Sequence, residues 1–235
     1  MANAGDSRTV LGRKGRAIPL SKDHKPYEQG NISKSLLTTE EKARITAAGG
    51  FVDFGRVNGN LALSRAIGDF DFKKSKDLDA KDQIVTGISL TSSNIAFPDV
   101  KQNELDDWDE FIVLACDGIW DCLTNAQVIE FVRRGIAARQ ELHKIAENLM
   151  DNCLAPSSDG GGYGCDNMTV IIVALLHGQT KDQWYDMVAE RVKNKDGPCA
   201  PKKFGTSRPI KLISPILRPR IQPVSKLEFS ERRLE

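Results

Sequence analysis

Histidine is scarce in this chain. His24, His143 and His177 are the three in its 235 residues, so a metal centre built on imidazole nitrogens is not on offer. Cysteine is sparse and unpatterned. Cys116, Cys122, Cys153, Cys165 and Cys199 are odd in number and show no CxxC spacing, which speaks against a disulfide framework and against a zinc site. Reduced thiols in an intracellular, cytoplasmic and/or nuclear protein are expected. No apolar run is long enough to cross a bilayer, and "MANAGDSRTV" lacks the apolar stretch of a signal peptide. The net charge is only +1, so the whole chain carries no basic signature for nucleic acid. Neither a nucleic acid nor a membrane is therefore expected as a partner.

What is present suits one substantial domain and a tail, with 40% hydrophobic and 28% charged residues. Charge is unevenly spread. From Pro198 to Glu235 nine Lys/Arg face three Glu, a local +6 that leaves about −5 for residues 1–197. The same tail holds six of the ten prolines and no sustained period, which predicts disorder over 198–235.

Local signals predict the order of elements. "GDSRTVLGRKGRAIPL" reads as a hairpin with turns at Gly5-Asp6 and Arg13–Gly15. Thr38 and Glu41 match a capping box for a short helix ending at two glycines, Gly49 and Gly50. Asn58-Gly59 is the preferred dipeptide of a type I′ turn between short strands. "DFKKSKDLDAKDQ" reads as charged and exposed. An acidic stretch, Asp99 to Glu110, opens the strand Phe111–Cys116. Thr124/Gln127 and Thr180/Gln183 are further capping boxes, each opening an amphipathic helix, with a second helix, "ELHKIAENLMDNCL", after the first. "SSDGGGYGCD" is a loop and "NMTVIIVALL" a buried strand. Strands, two adjacent helices, a strand and a helix do not alternate as a doubly wound sheet would. An α+β fold of antiparallel sheets with helices outside is expected.

Three aspartates fall at strand ends: Asp117 after "FIVLAC", Asp166 before "NMTVIIVALL", and Asp6 beside the first hairpin. Carboxylates held there by rigid elements suit a hard cation such as Mg²⁺ or Mn²⁺. Taken singly, each reads first as a turn residue, and Asp121 as the start of the turn before Thr124.

"ANAGDSR", "DHKP", "EKARITAAGG", "RVNGNLALSRAIGD", "FIVLACDGIWD" and "GCDNMTVIIV" occur in this order. Together they closely resemble the C-terminal half of the protein phosphatase 2C family, metal-dependent serine/threonine phosphatases, over roughly Ala2 to Ala174. "TKDQWYDMVAERV" also looks like the segment that follows the domain in fungal members. The resemblance implies an antiparallel β-sandwich flanked by helices. It implies two Mg²⁺ or Mn²⁺ ions that activate a water against phosphoserine or phosphothreonine proteins, in a protein monomeric when intact. Asp117 and Asp166 match aspartates of that cluster. Asp6 and Asp121 match carboxylates that hold, with the Asp117 equivalent, a weaker third metal in some members. Arg56, Asn58, Ser64, Arg65 and Asp69 are expected to be structural, with Arg65 and Asp69 paired, and His24 structural rather than an acid. The haloacid-dehalogenase class, which needs Asp-x-Asp, is not matched by "CDGIWD".

The implied organisation is residues 1–178 as the C-terminal part of the phosphatase-like domain, 179–197 as a C-terminal helix, and 198–235 as the tail. The family's "DGHGG" motif, its phosphate-binding arginine and its Glu-Asp pair are not in the chain. The N-terminal half of the fold is therefore expected to be missing, and this chain alone to be impaired. The alternative is a non-catalytic phosphatase-like binding module or a truncated gene-model fragment. "YEQGNISKSLLTT" and "GISLTSSNIA" interrupt the family pattern. They read as surface loops or, more sharply, as retained introns over 30–39 and 87–95.

Overall fold

The computed structural model describes residues 1–26, 35–79, 81–86, 97–157 and 162–198, with side chains from residue 40 in the second stretch. Both interrupting segments fall largely outside these residues, as does the tail. In chain order the elements are β1 (Ala2–Asn3), β2 (Arg8–Arg13), β3 (Arg16–Pro19), α1 (Ser35–Ala47), β4 (Val52–Asp53) and β5 (Arg56–Val57). They continue with β6 (Asp99–Val100), β7 (Asp109–Ala115), α2 (Asp117–Trp120), α3 (Asn125–Ala137), α4 (Leu142–Cys153), β8 (Val170–Ala174) and α5 (Lys181–Lys193).

The main sheet has the order β3-β2-β7-β8, antiparallel throughout. The α+β class and the antiparallel pairing agree with the sequence. The β2–β3 turn places Lys14 (φ 49°) and Gly15 (φ 74°) in the left-handed region, the pair of conformations that matches the twist of a tight hairpin. Val10, Val113 and Phe111 are fully buried on the face where α3 and α4 pack. Phe111 lies over Gly12, where an added Cβ would stand 2.8 Å from its ring. The other face carries Leu11, Ile112 and Val173 in one row and Thr9, Leu114 and Ile171 in the next. It is open towards β8, where Ile171 is 54% and Val173 40% exposed. The expected buried strand is thus an edge strand with one apolar row facing outward.

The acidic approach to β7 also differs from expectation. The strand begins at Asp109, and Asp109 and Glu110 are fully buried. A bulge causes this: Gly12 opposes Phe111 while Arg13 opposes Asp109, so Glu110 drops out of the alternation. Its carboxylate accepts from Arg133 Nε (2.8 Å) and Nη2 (3.0 Å) in α3, and Arg191 of α5 lies at 3.4 Å. Asp109 takes Arg13 at 2.6 Å. Two buried carboxylates thereby pin α3, α5 and the hairpin to the sheet.

Both capping boxes, at Thr124 and Thr180, are formed. The one expected at Thr38 is not, because α1 starts at Ser35 and places residue 38 inside the helix. Glu41 instead binds Arg44 and Arg65. A second, small core of Ile45, Val57, Ala66 and Val85 joins α1 to the β4–β5 hairpin. That hairpin turns at Phe54-Gly55, and Asn58-Gly59 makes a second tight turn immediately after it, with all four residues at positive φ. The charged stretch after Phe70 is not wholly exposed. Lys73 is buried with its ammonium donating to the Ala66 carbonyl, and Gln83 is buried against Ser75 and Leu78.

Candidate metal centre

β7 ends at Ala115, and Cys116 then adopts an extended conformation that starts the single turn α2 at Asp117. Strand and turn together fix the Asp117 backbone. The Trp120 indole N–H returns to the Ala115 carbonyl at 2.7 Å, and Arg8 stacks on the Trp120 ring. The Asp121 N–H donates to the Asp117 carbonyl, so Asp121 stands one helical turn beyond Asp117, half exposed.

Asp166 arrives from the loop before β8. Its Oδ1 accepts from the Asn167 N–H at 2.7 Å. Cys116 stitches this loop to the end of β7. Its thiol donates to the Asn167 carbonyl (3.3 Å) and accepts from the Thr169 N–H (3.2 Å), while its N–H donates to the Thr169 carbonyl. Gly118 permits the approach, because a Cβ there would sit on the Asn167 carbonyl oxygen. Asp121, Asp166 and Gly118 line a shared cleft of about 290 Å³, with Gly162, Tyr163 and Gly164.

Asp6 enters from the turn before β2. The Gly5 N–H donates to His24 Nδ1 (3.1 Å), and the His24 N–H donates to the Gly5 carbonyl (3.0 Å). His24 is buried, and its Nε2 meets Asp99 at 3.1 Å. Burial and the charge of Arg65 lower its pKa despite Asp99, so the ring is neutral with Nε2 as the donor. This is the structural role expected of His24. Lys25 follows, with Nζ 3.4 Å from Asp6 and 3.6 Å from Asp121. Burial, and then the charge of Asp117, raise the Asp6 pKa against the effect of Lys25. Burial opposes the Lys25 ammonium, but Asp6, Asp121 and Asp23 outweigh it and raise its pKa.

Three of the four expected aspartates are thus linked: Asp121 with Asp166 in the cleft, and Asp6 with Asp121 through Lys25; Asp117 acts on Asp6 through its charge. Among the described residues, no three His, Cys, Asp or Glu side chains come close enough to enclose a metal ion. The donor chemistry still fits a hard cation: all four groups are carboxylates, and a side-chain cation already lies between two of them. Arg65 binds Glu41 and Asp99 rather than its expected partner Asp69. The sequence reading missed Lys25, Arg8 and Cys116. Arg8 clamps Asp23 with two hydrogen bonds (2.9 and 2.7 Å) and reaches Asn125 at 2.6 Å. The motif strings "GDSR", "DHKP" and "ACDG" contain all three residues, but nothing local in those strings names their partners.

Comparison with known proteins identifies the family and the fold. A sequence model of the family described as protein phosphatase 2C matches residues 1–160. "Protein phosphatase 2C homolog 2" of Aspergillus fumigatus is 63% identical over 207 residues, covering 88% of this chain and 44% of that protein. The protein of the same name in Schizosaccharomyces pombe is 58% identical, covering 88% of this chain and 51% of its own. The chain spans about half the length of these curated relatives. Among solved structures, a phosphatase of Toxoplasma gondii superposes with a TM-score of 0.53 at 30% identity, over 77% of this chain and 49% of that one.

Proposed function

The chain belongs to the protein phosphatase 2C family, and we propose that its aspartates supply part of the divalent-metal centre of a phosphoserine/phosphothreonine protein phosphatase. One observation carries this reading: Cys116 and Gly118 bring the strand that delivers Asp117 and the loop that delivers Asp166 to the same edge. Asp117 and Asp166 would hold Mg²⁺ or Mn²⁺ through carboxylate oxygens, with Asp6 and Asp121 serving a further ion. Such an ion, when bound, supplies a water of lowered pKa and a positive field for phosphoryl oxygens.

The chain's own residues do the positioning. β7 and the Trp120–Ala115 hydrogen bond restrict the Asp117 backbone, so little conformational freedom is lost when its carboxylate is engaged. The Asn167 N–H orients Asp166. Gly162, Tyr163 and Gly164 form one wall of the cleft, with the exposed Tyr163 ring as its one bulky side chain, and a phosphorylated side chain would approach beside it. Phosphoproteins are the substrates this reading implies, acted on by a monomer.

The test replaces the aligned stretch of the A. fumigatus relative with this chain and follows phosphate release from a phosphothreonine peptide. EDTA-sensitive hydrolysis is expected. Asp117→Asn or Asp166→Asn should lower it by orders of magnitude, because each removes a charged oxygen ligand. Turnover that survives both substitutions would sink the assignment.

A further inference from the structure

Lys25 is the one cationic side chain that an ion pair places against two of the four aspartates at once, among the described residues. We propose that its ammonium is a built-in counter-cation for Asp6 and Asp121, standing where a divalent ion would bind and keeping the affinity of that place for such an ion low. The proposal rests on the metal-centre reading of Asp6 and Asp121.

Three features set Lys25 apart from an ordinary surface pair. Its backbone is fixed. His24, directly before it, exchanges two hydrogen bonds with Gly5, and the His24 carbonyl accepts from Ser64 N–H at 2.9 Å. Pro26, directly after it, has a restricted φ. The ammonium is thus delivered to the turn that carries Asp6. Its nearest competing carboxylate is engaged elsewhere, since both oxygens of Asp23 accept from Arg8. Finally, the side chain is about one quarter exposed, so its flexible stem has a path to water when the head group is displaced.

The consequence is a competition. A dication between Asp6 and Asp121 must first expel a unit positive charge and then tolerate it nearby. At about 4 Å, with solvent-like screening, that repulsion corresponds to roughly a tenfold loss of affinity. The same ammonium offsets the mutual repulsion of the carboxylates while no metal is bound.

The experiment titrates the 235-residue chain with Mn²⁺ and follows the free aquo ion by electron paramagnetic resonance. Circular dichroism accompanies each variant. Lys25→Gln and Lys25→Met should each bind the weakest Mn²⁺ about tenfold more tightly than wild type. Lys25→Arg, which keeps the charge, should stay within about twofold. Asp121→Asn should weaken that same site. Two folded neutral variants with unchanged or weaker binding, beside an Asp121→Asn that does weaken it, would overturn the Lys25 role and leave the metal-centre reading standing. No Mn²⁺ uptake by wild type or by either neutral variant would overturn the Lys25 role, while the metal-centre reading is decided by the chimera.

Discussion

Glu41 should make the stability of this protein depend on acid in a calculable way. Its carboxylate is nearly buried and accepts from Arg44 Nη2 (2.7 Å), Arg65 Nη2 (2.7 Å) and Arg65 Nε (3.1 Å). Burial alone would raise its pKa. Arg65 and Arg44 outweigh that and hold it at about 2, against 4.5 in the unfolded chain. A depressed carboxylate pKa contributes stability that is complete above the unfolded value and is lost as pH falls through the folded one. Between those limits the unfolded chain binds the extra proton. The full contribution is about 3 kcal/mol, and about 2 kcal/mol of it is gone by pH 3. Glu41→Gln removes this titration and leaves two guanidinium groups short of a charge. It should cost about 3 kcal/mol at pH 7. Urea unfolding of both proteins at half-unit steps from pH 7 to pH 3 follows the effect, because carboxylates that do not share Arg44 or Arg65 with Glu41 cancel in the difference. The gap between the two should narrow by about 2 kcal/mol, most of it below pH 4.5. A gap that stays constant over that range would refute the reasoning.

Other expectations follow from packing. Gly118→Ala should lower thermal stability by about 1–3 kcal/mol and push the Asp166 loop away from Asp117; an unchanged melt would show that the approach of Asn167 is not required. Arg133→Met leaves Glu110 buried beside Arg191 alone and should cost about 3–5 kcal/mol in urea unfolding, with most of that regained in the double variant Arg133→Met/Glu110→Leu; additive losses would contradict a paired role. Thr124→Ala removes one capping box and should cost about 1 kcal/mol, read from the same unfolding curves, whereas no change would mean that α3 does not depend on its cap.

The parts of the fold that were legible are those coded within a few residues. The Thr124 and Thr180 boxes put donor and acceptor three positions apart, and the turn before Arg16 needs only Lys14 and Gly15. Thr38 and Glu41 satisfy the same local pattern, yet α1 runs through them and Glu41 pairs with Arg44 and Arg65, the second of which lies far along the chain. The bulge that buries Glu110 depends on how β7 lies against β2, a pairing between segments far apart in sequence. β8 is apolar enough to be central. Its place at the edge follows from which strands pair, not from its composition. The candidate site divides in the same way. Asp117 and Asp166 stand at strand ends that the sequence marks, whereas Lys25 reaches Asp6 and Asp121 only because His24 is hydrogen-bonded to Gly5.

The hold of the buried Arg133–Glu110 pair on α5 through Arg191 has a consequence for amide hydrogen exchange. The last turn of a helix ordinarily frays, and its amides exchange through small local openings. Here Arg133 donates to the Asp196 and Pro198 carbonyls, and Gly197 lies directly against the Lys14 carbonyl. At the other end the Thr180 box is closed, and Trp184 in the first turn donates its indole N–H to the Glu110 carbonyl. Fraying would have to break the contact between α5 and the buried Arg133–Glu110 pair. The amides of Val188 to Val192 should therefore exchange as slowly as those of β7, in one cooperative opening that includes the centre of the sheet.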